Sequence, residues 1–161
     1  MVYPKKPVKL TKQQELAREQ FMYMWHKQCL SGFSWLERFN HDIIAKWERP
    51  FPCRTLEIGA GIGGHLRYEG FDQNYYCIEK RENFCDELRK FKNVKVIQGD
   101  IQKRTKFPGN YFDRVIAIHV LEHLRNLPVA LKEINRILKP DGIFDVVLPF
   151  EGGIVYGLAR K

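Results

Sequence analysis

The stretch Leu56-Glu57-Ile58-Gly59-Ala60-Gly61-Ile62-Gly63-Gly64, "LEIGAGIGG", places four of the chain's 12 glycines in six consecutive positions, just after an apolar run. Glycine loses more backbone freedom on folding than any other residue, so such a cluster needs a reason. Two are available: a tight strand-to-helix turn, or bare main chain against which a ligand lies. In doubly wound sheets, ligands bind outside the carboxyl ends of the strands, near the switch in strand order. The rhythm Gly59-x-Gly61-x-Gly63 differs from G-x-G-x-x-G, although Gly59, Gly61 and Gly64 satisfy that longer spacing.

Outward from this loop, strand-like and helix-like segments alternate. "CRTLEIGA" (53–60), "NYYCIEK" (74–80), "VKVIQGD" (94–100), "FDRVIAIHV" (112–120) and "GIFDVVLPF" (142–150) read as five strands. Helical patterns lie between them at 64–70, at 81–91 with Phe84, Leu88 and Phe91 on one face, and at 128–138 with Ala130, Leu131, Ile134, Ile137 and Leu138. The strands lack clean polar alternation, which signals a parallel sheet covered by helices on both faces. Right-handed crossovers and a switch point at the glycine loop predict strand order 3-2-1-4-5. Two carboxylates fall at strand ends. Glu79 closes the second strand, 22 positions after Glu57, where it can accept hydrogen bonds from a ribose diol. Asp100 closes the third strand, where it serves either a ligand or a local turn.

Ahead of this core, residues 1–10 are Pro/Lys-rich and expected to be loose. From Thr11 a helix is predicted with Ala17, Phe21, Met24 and Gln28 on one stripe and Trp25 beside it. "SGFS" breaks it, and a second helix follows with Leu36, Phe39, Ile43 and Trp47 in register, stopped by "ERPFP". The division expected is a helical cap over 1–50 and an α/β core over 51–161. The whole chain has 161 residues, 44% hydrophobic and 29% charged, with a formal charge of +8. Residues 1–50 hold nine Lys/Arg against five Asp/Glu, so the basic excess is spread along the chain. That favours acidic partners in general without the clustered footprint of nucleic-acid binding. No apolar run approaches the ~18 residues of a membrane span. Cys29, Cys53, Cys77 and Cys85 show no C-x-x-C spacing and read as buried reduced thiols of a cytoplasmic protein.

Taken together, "LEIGAGIGG", Glu79, "QGDI", "FDRVIAIHVLEHL" and "INRILKPDGIFDVVLP" resemble the class I S-adenosylmethionine-dependent methyltransferases over about residues 53–150. "VLEHL" followed by "LKPDG" resembles the subgroup that includes many small-molecule methyltransferases. The resemblance implies a Rossmann-like fold, S-adenosylmethionine as cofactor and S-adenosylhomocysteine as its product. It implies that Glu57, Gly59, Gly61 and Gly63 line the methionine end. Glu79 would hold the ribose, Asp100 with Ile101 would border the adenine, Ile118 and His119 would face cofactor and substrate, and Ala60 and Lys80 would also contact the cofactor. An oxidoreductase would instead need room for a pyrophosphate at a helix N-terminus. The family sheet usually continues into a further helix and an antiparallel strand pair. None is legible in "GGIVYGLARK", so an incomplete chain is expected, or an open edge at strand five that pairs with a second copy.

His119 is the candidate general base, because it ends strand four beside the expected methyl site and imidazole titrates near neutral pH. A purely orienting role is the competing assignment. His123 reads as structural. The order H-x-x-E-H from His119 to His123 resembles an inverted zinc-peptidase motif, but it straddles a strand end, so no metal site is expected. Tyr23, Trp25 and His26 are candidate cap residues over the pocket. The expected activity is methyl transfer to an O or N acceptor of a small molecule. Methylation of RNA or another polyanion is an alternative, as is a non-catalytic cofactor-binding module working through a partner.

Overall fold

The computed structural model describes residues 2–6, 8–30, 35–46, 53–69 and 74–148. Two helices come first, α1 (Lys12–Leu30) and α2 (Trp35–Lys46). The core then runs β1 (Thr55–Ile58), β2 (Tyr75–Glu79), α3 (Glu82–Leu88), β3 (Val94–Gln98), β4 (Phe112–Ile118), α4 (Leu127–Ile137) and β5 (Leu138–Val147). The five strands form one sheet in the order β3-β2-β1-β4-β5, and every neighbouring pair is parallel. The expected α/β architecture and strand order are thus observed. β5 forms one edge, as expected, while residues 151–161 lie outside the described residues.

Period-two geometry sends alternate residues of each strand to opposite faces. Leu56 and Ile58 of β1 join Ile78, Phe112, Val115, Ala117, Ala130, Ile134 and Ile137 in the layer beneath α4. On the other face Tyr75 and Cys77 of β2 pack with Ala60, Leu66 and Leu88, beneath α3 and the chain after the glycine loop. Cys53, Cys77 and Cys85 are buried free thiols; the side chain of Cys29 lies outside the described residues. Burial pushes the Cys77 thiol up, with Glu57 next in effect.

Several expectations from the sequence are corrected. The strand expected at 142–150 begins at Leu138, which pairs with Phe112 before a register shift admits Lys139–Gly142 as extra residues. A Cβ on Gly142 would lie 2.6 Å from Leu138 Cδ1, so the chain folds tightly at this bulge. On α4, Leu131 is 40% exposed and Glu133 is buried in its place. The Glu133 carboxylate accepts from the Thr105 backbone N–H (2.7 Å), the Thr105 hydroxyl (2.6 Å) and Arg136 (2.6 and 2.8 Å), which outweighs its apolar competitor.

The N-terminal helices are also turned from the expected stripes. Phe21 (62% exposed) and Phe39 (56%) face outward, while Ile44 (2%) faces in. α1 meets α3 through Tyr23, whose hydroxyl donates to Glu87 Oε1 at 3.4 Å and whose ring lies 6.1 Å from that of Phe84. Among the described residues, α2 meets the core through the buried Ile44 side chain and through polar groups, His41 and the Ile44 carbonyl. The N-terminal segment, expected to be loose, is tied to the loop after β4: the Lys5 N–H donates to Arg125 O at 2.7 Å and its ammonium to Glu122 O.

Candidate active site

The glycine loop is built around three positive φ angles, +65° at Gly59, +57° at Gly61 and +85° at Gly63. L-residues with a side chain rarely adopt this region. At Gly59 a Cβ would also lie 2.6 Å from Val120 Cγ2, because the loop leaving β1 and the loop leaving β4 approach closely there. At Gly63 it would lie 2.7 Å from the Phe91 ring. Ala60 is buried beneath the loop. Both reasons for glycine therefore apply: a turn that only glycine follows, and main chain laid bare at the carboxyl end of the sheet.

Glu79 is bound into this loop. Its Oε2 accepts from Gly61 N–H at 3.2 Å, and its Oε1 accepts from the N–H groups of Lys80 (2.8 Å) and Arg81 (3.0 Å). A carboxylate offers about four lone-pair sites, so Oε2 keeps one for a diol hydroxyl. A preformed, main-chain-held acceptor beside a glycine turn fits the ribose of a nucleoside cofactor. Next to it, exposed Lys80 pairs with Asp100 Oδ2 at 3.1 Å, joining the ends of β2 and β3. Asp100 Oδ1 accepts from the backbone and side-chain N–H groups of Gln102, both at 3.0 Å. Burial raises the Asp100 pKa, but these hydrogen bonds and Lys80 outweigh it and hold the carboxyl below its ordinary value. Ile101, beside it, is buried.

Ile118 ends β4 half-buried, and His119 follows with φ +52°. The His119 N–H donates to Val147 O at 3.0 Å, which fixes the turn against β5. Its Nδ1 lies 3.8 Å from Glu122 Oε1, beyond hydrogen-bond range, while Glu122 Oε2 is buried with no hydrogen-bond partner among the described residues. Glu57 lies under the loop: its Oε2 accepts from the Tyr75 hydroxyl at 3.0 Å. Burial raises its pKa, against a smaller opposing effect of His65. The structure thus brings the glycine loop, Glu79, Lys80, Asp100 and His119 to one end of the sheet and sets Glu57 beneath it. The side chains of Trp25 and His26 lie outside the described residues. Among the described residues no group of three or more His, Cys, Asp or Glu side chains is placed to hold a metal ion.

The sequence reading misses a buried polar chain. Arg114 on β4 donates to Asp145 Oδ2 on β5 (2.5 Å), to Glu69 Oε1 (2.8 Å) and to the carbonyl of Ile44 in α2 (2.8 Å). Glu69 Oε1 also lies 3.0 Å from His65 Nε2, and His65 Nδ1 lies 3.2 Å from His41 Nδ1. The available signal is a lone charge inside each apolar strand, Arg114 in "FDRVIAI" and Asp145 in "GIFDVVL". Nothing in the sequence pattern marks His41 or His65.

Comparison with known proteins agrees with this geometry. The family model described as "Methyltransferase domain" matches residues 56–146. The sterol 24-C-methyltransferase erg6 of Aspergillus fumigatus is 33% identical over 120 residues, covering 69% of this chain and 32% of that protein. Sterol 24-C-methyltransferase ERG6B of Gibberella zeae is 30% identical over 149 residues, covering 81% and 39%. The chain therefore spans a third to two-fifths of these curated relatives' length. A solved S-adenosylmethionine-dependent methyltransferase of Thermotoga maritima, described as a possible histamine N-methyltransferase, superposes with a TM-score of 0.70 at 20% identity. It covers 88% of this chain and 65% of that one. The PH0226 protein of Pyrococcus horikoshii superposes with a TM-score of 0.57 at 27% identity, covering 71% and 58%. The chain belongs to the methyltransferase-domain family, within the class I S-adenosylmethionine-dependent methyltransferases.

Proposed function

We propose that this chain binds S-adenosylmethionine across the glycine loop and transfers its methyl group to a small-molecule acceptor. The observation that carries this is the Glu79 carboxylate, held by three backbone N–H groups beside three left-handed glycines. The sulfonium of the bound cofactor supplies an electrophilic methyl group. The chain's own residues supply binding, orientation and exclusion of water. In this assignment the main chain of Gly59, Gly61 and Gly63 seats the methionine and ribose portion. Glu79 accepts from the ribose diol, and Lys80, Asp100 and Ile101 border the adenine. Ile118 and His119 meet the acceptor, with the His119 ring hydrogen-bonding to it. The helices within residues 1–50 form a cap, and the core begins near residue 51.

The two curated relatives are named for methyl transfer to a sterol carbon, which favours an apolar acceptor. The strand-end histidine suits an O–H or N–H acceptor. Titration calorimetry with S-adenosylmethionine and S-adenosylhomocysteine, with NAD as control, tests the cofactor assignment. Binding of NAD alone overturns it. Labelled-methyl transfer to sterol, phenol, amine and RNA pools then tests the acceptor class. Label appearing in RNA alone, with an affinity that falls steeply with salt, replaces the small-molecule assignment. Cofactor binding with no transfer to any pool replaces catalysis with a binding module.

A further inference from the structure

At the end of the sheet opposite the glycine loop, four side chains gather where the strands begin. Arg54 precedes β1, Tyr111 precedes β4, and Tyr76 and Lys95 are register partners on β2 and β3. Lys95 is exposed and the other three are half-buried. The Tyr76 and Tyr111 hydroxyls lie 3.1 Å apart, and the Lys95 ammonium donates to the Tyr76 hydroxyl at 3.1 Å. The Arg54 guanidinium stacks 4.0 Å over the Tyr111 ring and donates from Nη1 to the Tyr111 carbonyl at 3.0 Å. The two phenol rings are held from the core side. Phe112 meets them edge-on at 5.3 and 5.0 Å, and Phe107 lies 6.0 and 6.2 Å from them.

The cluster has more donors than acceptors. An ammonium carries three donors and a guanidinium five, and neither accepts. Lys95 and Arg54 each use one of them within the cluster. While both phenols are protonated, two hydroxyl protons serve one mutual contact, so one is left over whichever ring donates. Arg54 Nε is buried with no acceptor among the described residues. Other cations of the core are matched by carboxylates, as Arg89 is by Glu82 and Asp86, and Lys139 by Asp113. Neither Arg54 nor Lys95 has a carboxylate at ion-pair distance from its side chain among the described residues. Asp113 accepts the Arg54 backbone N–H at 2.8 Å and leaves the guanidinium on the tyrosine face. Tyr76 feels the surplus charge. Burial raises its pKa, but hydrogen bonds from Tyr111 and Lys95 and the charges of Lys95 and Arg54 outweigh that and hold it below the ordinary phenol value.

We propose that Arg54, Tyr76, Lys95 and Tyr111 form a binding site for a phosphate monoester group, at the opposite end of the sheet from the cofactor site. Two cations match a group that carries nearly two negative charges at neutral pH. The ammonium and guanidinium supply charge-assisted donors, and the spare hydroxyl proton supplies a third kind. Stacking on Tyr111 fixes the plane of the guanidinium, so its donor edge is oriented before a ligand arrives. A carboxylate would meet the same donors with about half the charge, so the site prefers phosphate. The group is carried by a soluble compound or by a lipid headgroup, and the chemistry that recognises it is the same.

The test titrates inorganic phosphate into the full chain labelled with ¹³C-tyrosine, at neutral pH and constant ionic strength, with acetate as control. Saturable shifts of the Tyr76 and Tyr111 ring signals are expected with phosphate, at lower concentration than with acetate. Bound phosphate should also move the ionisation of Tyr76 to higher pH, because it offsets the charges that favour the phenolate. Lys95→Met, at an exposed position, is expected to weaken phosphate binding roughly 10- to 100-fold, the weight of a hydrogen bond to a charged group. Shifts that never saturate, or that acetate reproduces at the same concentration, overturn the proposal without any variant. So does unchanged phosphate affinity in Lys95→Met. Co-sedimentation with phosphatidylcholine vesicles containing phosphatidic acid separates the two sources. Retention that Lys95→Met abolishes assigns the site to a lipid headgroup. Saturable binding of inorganic phosphate without retention on vesicles assigns it to a soluble compound.

Discussion

At the scale of single residues, the positions to change are those where one atom decides the local geometry. Gly59→Ala would set a Cβ 2.6 Å from Val120 in a backbone with φ +65°. Left-handed strain and overpacking together should destabilise the fold by roughly 2–4 kcal/mol, read as a lower urea midpoint. Glu79 is buried and accepts three backbone hydrogen bonds, so Glu79→Ala would damage the loop as well as any ligand site. Glu79→Gln keeps one carbonyl oxygen. Its amide NH2 replaces one oxygen and leaves at least one buried backbone N–H without its acceptor, so the substitution is expected to cost about 1–3 kcal/mol of stability, less than Glu79→Ala, and to weaken S-adenosylmethionine binding by roughly 1.5–3 kcal/mol, as for lost hydrogen bonds to a charged group. Equal calorimetric affinity removes Glu79 from the site. His119→Ala should lower turnover more than cofactor affinity, and unchanged turnover would assign His119 to the turn alone.

At the scale of elements, the attachment of α2 to the sheet is the distinctive feature. Phe39 and Ile43 of its expected stripe are exposed, and its contacts with the core include a guanidinium–carbonyl hydrogen bond and a histidine stack. Arg114 holds two buried carboxylates as well as the helix. Truncating one member of a buried ionic group leaves the others uncompensated. Arg114→Leu should therefore cost about 3–5 kcal/mol, with faster amide exchange across residues 41–46. Asp42→Ala, at the exposed i,i+4 pair with Lys46, should leave the midpoint nearly unchanged. If Arg114→Leu is equally silent, α2 is held by other contacts.

At the scale of the whole molecule, acid stability should fall in two stages. His41 has a folded pKa of about 4 against 6.5 for the free group, so the unfolded chain binds the proton more readily. Stability is thus lost as pH falls from about 6.5 to about 4. Glu133 has a folded pKa of about 2 against 4.5: burial raises it, but hydrogen bonds from Arg136 and Thr105 lower it further. Its stabilising contribution is full above pH 4.5 and is lost toward pH 2. Glu57, whose pKa is raised, acts in the opposite sense. Urea midpoints measured against pH should show a flatter upper stage in His41→Phe and a flatter lower stage in Glu133→Gln. A variant whose profile parallels the wild type would exclude its group from the acid response.

Rules that act over short stretches of chain determined a good deal of this protein by themselves. The switch from helical to strand periodicity, the glycine cluster and the carboxylates at strand ends are all short-range features. Parallel order follows from connection handedness, so β3-β2-β1-β4-β5 and the place of Glu79 and His119 at one end of the sheet were legible. Tertiary structure decided what depends on partners distant in sequence. Leu131 and Glu133 exchanged places because Thr105 and Arg136 satisfy a buried carboxylate. The faces of α1 and α2 were decided by Glu87, Phe84, His65 and Arg114, all on the core, because a polar contact buried without its partner is more costly than an exposed phenylalanine. The chain from Asp145 through Arg114, Glu69 and His65 to His41 joins residues from four parts of the sequence. Its members have no common period, so no pattern along the chain could show that folding would bring them together.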